Sequence, residues 1–311
     1  MRCKAALFIS RKKEYTEKVK AAQNEYPGAV KEANMLFYLF SFIALGAAVW
    51  AVCAGAAWYL VPAAFIGAFL GMILVLLLFI LVAVLFVDKE KPNERAYGFY
   101  LWLLTETSAL LLKLGRAKVT FRGAEKLPKG RCLIVQNHLS DFDPIALYVA
   151  LRGKPLFFVS KKENLAIPVG GRLMAGAGVL GLDRENNRQG ILVMRKAAQL
   201  LTAGHYVCVY PEGTRSKTGR LGPFRDGCFK AAQWGGAPIA VVTVSGSAEA
   251  AKKLFRHRSE IVFRVVRVFE NTEIAELHTD AISAEVRACM LADLGEEQET
   301  AEPENTQTVS E

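Results

Sequence analysis

Cys132-Leu-Ile-Val-Gln136, followed at once by Asn137-His138-Leu139-Ser140-Asp141-Phe142-Asp143-Pro144, is the stretch that decides how this chain folds. Five apolar or uncharged residues ending in a polar cluster read as a buried strand entering a turn. Pro144 to Leu151 then reads as a helix stopped by Gly153, with Asp143 suited to cap it and Pro144 at its first position. The turn also carries chemistry. His138 and Asp143 stand at the spacing His-x-x-x-x-Asp. A carboxylate that fixes the imidazole tautomer and steadies the imidazolium makes the ring a general base. A substrate with its own hydroxyl then needs no Ser or Cys nucleophile from the protein.

Short apolar runs alternate with helical stretches from Ala117 onward. Strands are expected at Lys118–Phe121, Leu156–Ser160, Gly178–Leu182, Tyr206–Tyr210, Ile239–Ser245 and Ile261–Phe269. Arg188–Ala203 has apolar residues at mostly helical spacing, and Ala281–Leu294 reads as a closing helix. The alternation predicts an α/β layered domain with a mixed central sheet over residues 117–294.

The chain has 311 residues, of which 52% are hydrophobic. The excess is local, because residues 36–87 contain no charged residue. A membrane-spanning helix needs only about 20 residues, so this run holds two, turning near Gly55–Pro62. Residues 35–88 are therefore expected to form a transmembrane helical hairpin. Residues 1–34 form a basic segment that keeps the N-terminus cytoplasmic, and the hairpin returns the chain to that side. Residues 89–116 read as a polar linker and an interfacial helix, Tyr97–Leu114, or one packed under the domain. Residues 295–311 hold six acidic residues and no basic ones, and read as an acidic disordered tail.

The formal net charge is +9. Beside a hydrophobic hairpin this points to a lipid bilayer and anionic headgroups rather than nucleic acid. The six cysteines are scattered with no Cys-x-x-Cys pair, so neither a metal site nor a disulfide frame is expected.

Three further segments sit at predicted strand ends: Gly178–Arg184, Tyr210–Ser216 and Ala237–Val242. Ligands in open α/β sheets gather beyond strand carboxyl ends, so all three are expected to face one cleft. In this order the segments resemble the PlsC-type glycerolipid acyltransferases, of the lysophosphatidic acid acyltransferase type. Asn137, His138, Ser140 and Asp143 match the first motif of that family, and Asp183-Arg184 the second. Pro211-Glu212-Gly213-Thr214-Arg215-Ser216 matches the third, with Tyr210 where the family has Phe, and Pro238-Ile239 the fourth. Ser160–Glu163 resembles the lysine-bearing segment between the first two. The likeness spans roughly residues 118–270.

The resemblance implies a membrane-bound enzyme that moves an acyl group from acyl-CoA or acyl carrier protein to the hydroxyl of 1-acylglycerol-3-phosphate (lysophosphatidic acid), giving phosphatidic acid. It implies His138 and Asp143 as catalytic residues. Lys161, Arg184, Glu212, Gly213, Thr214 and Arg215 become substrate-binding residues, with Arg215 and Lys161 on the phosphate and Glu212 on a glycerol hydroxyl. Backbone N–H groups at the start of the Pro144 helix are candidates for the oxyanion. No cofactor and no metal are implied, and the expected location is the cell membrane with the catalytic domain on the cytoplasmic side. Three alternatives stay open: another lysolipid acceptor, a thioesterase or hydrolase using the same His-Asp pair, and a non-enzymatic lipid-binding scaffold. Against a hydrolase, there is no Gly-x-Ser-x-Gly elbow.

Overall fold

Strands buried on both faces read as continuous apolar runs, and here those runs build one sheet. The computed structural model describes residues 34–88 and 97–295. The basic N-terminal segment, most of the polar linker and the acidic tail expected from the sequence lie outside the described residues.

In chain order the elements begin with helices α1 (Met35–Cys53), α2 (Leu60–Leu85) and α3 (Tyr97–Leu114). The domain follows as β1 (Ala117–Arg122), β2 (Cys132–Gln136), α4 (Phe142–Ala150), β3 (Leu156–Lys161), α5 (Gly170–Gly176), β4 (Leu180–Leu182) and α6 (Asn187–Thr202). It closes with β5 (Tyr206–Val209), α7 (Lys230–Gly235), β6 (Ile239–Ser245), α8 (Ser247–Lys253), β7 (Ser259–Phe269), α9 (Asn271–Ile274) and α10 (Thr279–Leu294).

Among the described residues the seven strands form one mixed sheet in the order β1-β7-β6-β2-β5-β3-β4. All neighbours are parallel except β6 and β7. Strands β2 to β6 therefore run one way, and β1 and β7 the other. Period-two alternation divides each central strand between two layers. Ile134, Cys208, Ala240 and Val242 pack under α3, α4 and α8, while Leu133, Val207, Val209 and Val241 pack under α6, α7 and α10.

Helices α1 and α2 are long and apolar enough to cross a membrane. They pack on each other with the turn at residues 54–59, near the predicted place. Most of the hairpin's large side chains are exposed, Phe42, Trp50, Trp58 and Leu78 among them. That is costly in water and ordinary in lipid.

Helix α3 adopts the packed alternative. Thr105, Glu106, Ser108, Ala109 and Leu112 are buried, and Glu106 meets Arg152 of the domain at 2.6 Å. Burial raises the Glu106 carboxyl above its usual range, opposed by that guanidinium. An ion pair on this face requires protein rather than lipid against it. Phe99 and Trp102 remain exposed on the other side. Tyr100 lies on Gly176 of α5, where an added Cβ would come within 2.7 Å of the ring, and its hydroxyl donates to the carbonyl of Ala83. The base of the hairpin is thus fixed to the domain.

Candidate active site

The polar turns lie where parallel strands end. His138 follows β2, Lys161 closes β3, Asp183-Arg184 follows β4 and Glu212–Arg215 follows β5. They surround a cleft of about 750 Å³. Pro238-Ile239 does not join them, contrary to expectation. It opens β6 at the opposite edge of the sheet, where the Pro238 carbonyl accepts from the N–H of Leu133. Its apolar character serves the core, since Ile239 is fully buried.

The helix after β2 starts at Phe142, so Asp143 is inside its first turn and is not its cap. The carboxylate faces back into the turn. Its Oδ2 accepts from the N–H of Leu139 (2.7 Å) and of Ser140 (2.9 Å) and lies 2.8 Å from Nδ1 of His138. An oxygen already receiving two backbone donors serves as acceptor toward the ring as well. The proton therefore sits on Nδ1, and Nε2 is left as a lone-pair base at the cleft. Asp143 is fully buried, while 16% of the His138 side chain is exposed.

Further contacts hold the ring and its turn besides Asp143. Its ring stacks on Tyr210 with centroids 4.1 Å apart. Its backbone N–H donates to Oε1 of Glu212 (2.9 Å), and its carbonyl accepts from the N–H of Ser216 (2.8 Å). Asn137 anchors the turn to β6, its amide donating to the Val244 carbonyl (3.1 Å) while its side-chain oxygen accepts the Val244 N–H (2.7 Å). Burial pushes the Tyr210 phenol well above its usual range, and its hydroxyl has no hydrogen-bond partner among the described residues.

Among the expected substrate contacts, Lys161, Arg184, Gly213 and Arg215 line the cleft. Glu212 and Thr214 do not. Glu212 is buried behind the wall, its second oxygen taking the N–H of Gly222 (3.0 Å), so it ties three turn segments together and is turned away from a ligand. Burial raises its carboxyl above the usual range, and the two backbone donors oppose this. Thr214 is exposed beside the cleft. Arg215 pairs with Asp141 through Nη1 and Oδ2, and Lys161 with Glu163 at 3.5 Å. Asp183 pairs with Lys162 and accepts from the N–H of Glu185, so it shapes its own turn. Four of the amides around the start of α4, expected as oxyanion donors, are already taken. Leu139 and Ser140 donate to Asp143, Phe142 to Ser140 Oγ and Asp143 to the Ser140 carbonyl.

Arg225 escaped the sequence reading. It lines the cleft with Nε over Gly213, where a Cβ would be 3.0 Å away, and Gly213 itself has a φ of 71°. Burial, then the charge of Arg225, pulls the Arg184 guanidinium below its usual range. Two cations facing one cleft lip form a receptor for an anion. The only signal in the sequence was a basic residue in a Gly- and Arg-rich loop, which no spacing rule singles out. The other part of the cleft is apolar, with Leu104, Ile145, Phe158, Met174 and Val179.

Residues 118–245 match the family described as Acyltransferase. Over that segment the chain is similar to the family. The chloroplastic 1-acyl-sn-glycerol-3-phosphate acyltransferase of Brassica napus is 38% identical to it over 133 residues, 42% of this chain and 38% of that one. The alpha 1-acyl-sn-glycerol-3-phosphate acyltransferase of Homo sapiens is 35% identical over 130 residues, 41% and 45% of the two chains. The crystal structure of the 1-acyl-sn-glycerophosphate acyltransferase PlsC from Thermotoga maritima superposes with a TM-score of 0.53 at 18% identity, covering 71% of this chain and 89% of that one. At that identity the likeness is one of fold. The matched segment spans less than half the length of these two sequence relatives. The family match over residues 118–245 contains every motif from Asn137 to the Glu212–Arg215 turn.

Proposed function

We propose that this chain is a membrane-bound 1-acylglycerol-3-phosphate O-acyltransferase that uses an acyl thioester as donor. One observation carries the reading: an imidazole fixed at Nδ1 by a buried carboxylate, with Nε2 free, between a cationic lip and an apolar recess. His138 Nε2 takes the proton of the lysolipid hydroxyl as that oxygen bonds to the thioester carbonyl carbon. The carbonyl electrons move to an oxyanion and return to expel the thiolate. The imidazolium then protonates the thiolate, leaving ester and thiol with the ring neutral again. Asp143 stabilises the imidazolium and keeps the tautomer.

The oxyanion takes its donors from the backbone of the turn that wraps His138, where Arg215 lines the cleft. Arg215, Arg184, Arg225 and Lys161 meet the phosphate, and the acyl chain lies along Leu104, Phe158 and Met174. The donor is acyl-CoA or acyl carrier protein, both anionic and suited to a +9 chain. The hairpin holds the cleft at headgroup depth of the cell membrane, and the basic N-terminal segment keeps the domain cytoplasmic.

The test is purified full-length protein with a panel of lysolipids and both donors, with products identified by mass. Phosphatidic acid from lysophosphatidic acid supports the reading. Free fatty acid alone, whatever the acceptor, would assign a thioesterase instead.

A further inference from the structure

The turn joining α8 to β7 combines features that the acyl-transfer site does not use. Residues 252–258 read Lys-Lys-Leu-Phe-Arg-His-Arg, four cations with no acid. Phe255 at its centre is 60% exposed and held at a φ of 65°, a left-handed conformation that is costly for an aromatic residue. Lys253 pairs with Glu249, but Lys252, Arg256 and Arg258 have no ion-pair partner among the described residues. The neighbouring acid, Glu260, is engaged by Lys118 and Thr120. Arg116, also at positive φ (58°), adjoins the turn, its carbonyl accepting from the N–H of Ser259.

Position gives this patch its meaning. Leu254 occupies the space beside Gly115, where an added Cβ would lie 2.1 Å from Leu254 Cδ1. The turn is thereby locked to the C-terminal end of α3. At that end Leu110 and Leu114 pack with Leu36 and Phe40 of α1 and with Phe69 and Ile73 of α2, and Lys113 lies 5.8 Å from the centre of the Phe37 ring. Exposed Phe42, Trp50 and Trp58 follow in the part of the hairpin nearer its tip. The strand register adds a second relation. Gln136 aligns with Val242, and Ser245 with Val262, so β7 begins at the sheet edge from which the His138 turn emerges. Phe255 and the cleft therefore share one edge.

We propose that the Lys252–Arg258 turn is a second membrane contact, in which Phe255 enters the headgroup layer of an anionic bilayer and Lys252, Arg256, Arg258 and Arg116 meet its phosphates. An aromatic ring ringed by cations is the composition that suits an interface, where the ring leaves water and the charges stay with the headgroups. Continuity with the uncovered hairpin favours a bilayer over an acidic protein. With the hairpin as one support and this turn as the other, the sheet edge carrying His138 faces the lipid surface. The proposal rests on reading the hairpin as embedded in the membrane.

The experiment uses full-length Phe255→Trp in nanodiscs of phosphatidylcholine, or of phosphatidylcholine and phosphatidylglycerol in equal parts. The difference in emission from the unsubstituted chain isolates position 255. Expected is a blue shift with several-fold weaker acrylamide quenching in the anionic discs, lost with K252E/R256E/R258E and at high salt. Amide exchange over residues 252–258 of the unsubstituted chain should slow by a similar factor only in anionic discs. A water-exposed position 255 in both lipids, equal shielding in both, or shielding that appears only when an acidic carrier protein is added would each overturn the proposal. Trp58, read through Trp58→Phe, reports on the hairpin separately. Shielded Trp58 with exposed position 255 overturns the turn alone, whereas Trp58 in water overturns the membrane reading beneath it too.

Discussion

Asp143→Asn separates the orienting role of the carboxylate from its charge. Three donors converge on Oδ2, namely Nδ1 of His138 and the N–H groups of Leu139 and Ser140. An asparagine satisfies them only with its carbonyl oxygen at that place, which puts its NH₂ where Oδ1 now lies without a partner. The turn and the tautomer are kept, and what disappears is the negative charge facing the imidazolium. Unit charges about 4 Å apart at an effective dielectric near 20 interact by about 4 kcal/mol. The charge on the ring develops only as the proton is transferred, so the loss falls on the transition state. The expected fall in kcat is about 1,000-fold, with KM for donor and acceptor nearly unchanged. The assay is thiol release under saturating lysolipid, with the product checked by mass and the melting temperature measured in the same detergent. A variant that melts like the parent yet keeps kcat within about tenfold would refute the imidazolium-stabilising role.

Asn137→Ala leaves the buried N–H and carbonyl of Val244 unpaired, so the protein should lose about 2–4 kcal/mol of stability, read as a lower melting temperature, with activity falling as the His138 turn loosens. Arg225→Ala should raise the apparent KM for lysophosphatidic acid about 10- to 100-fold while leaving that for a lysolipid without the phosphate unchanged; Arg215→Ala should do less, because half-exposed Arg215 already pairs with Asp141. An equal effect of Arg225→Ala on both acceptors would remove Arg225 from the phosphate. Tyr210→Phe deletes a buried hydroxyl with no partner among the described residues and keeps the ring stacked on His138, so activity should hold and stability should stay or rise by up to about 2 kcal/mol. A large loss of kcat would give the phenol a chemical role.

The strand positions were legible because parallel strands buried on both faces leave unbroken apolar runs: Cys132–Gln136 and Ile239–Ser245 have the predicted bounds. The helix ends shifted where side-chain geometry overrode propensity. Asp143 before Pro144 has the composition of a cap, yet its carboxylate turns back to two amides of its own loop, and the helix opens at Phe142. Short α5 and α7 carry too few residues for a helical period to emerge. The polar turns after β2, β4 and β5 converge as expected, since parallel strands deliver their C-terminal loops to one edge. Pro238 misled because strand-end position alone does not say which end. Glu212 looked like a ligand contact for a similar reason: a carboxylate in a glycine-bearing turn reads as exposed, and only the fold reveals the two backbone donors that bury it. Arg225 is brought to the cleft by the long loop between β5 and α7, whose path has no periodic signature.

The most direct measurement is single-turnover acyl transfer to lysophosphatidic acid by the unsubstituted chain and by His138→Ala, with the affinity of each for the acceptor measured alongside. Expected are phosphatidic acid from the first, a loss of several orders of magnitude in the second, and similar acceptor binding by both. A His138→Ala protein that still forms phosphatidic acid at a comparable rate would contradict the general-base role of His138.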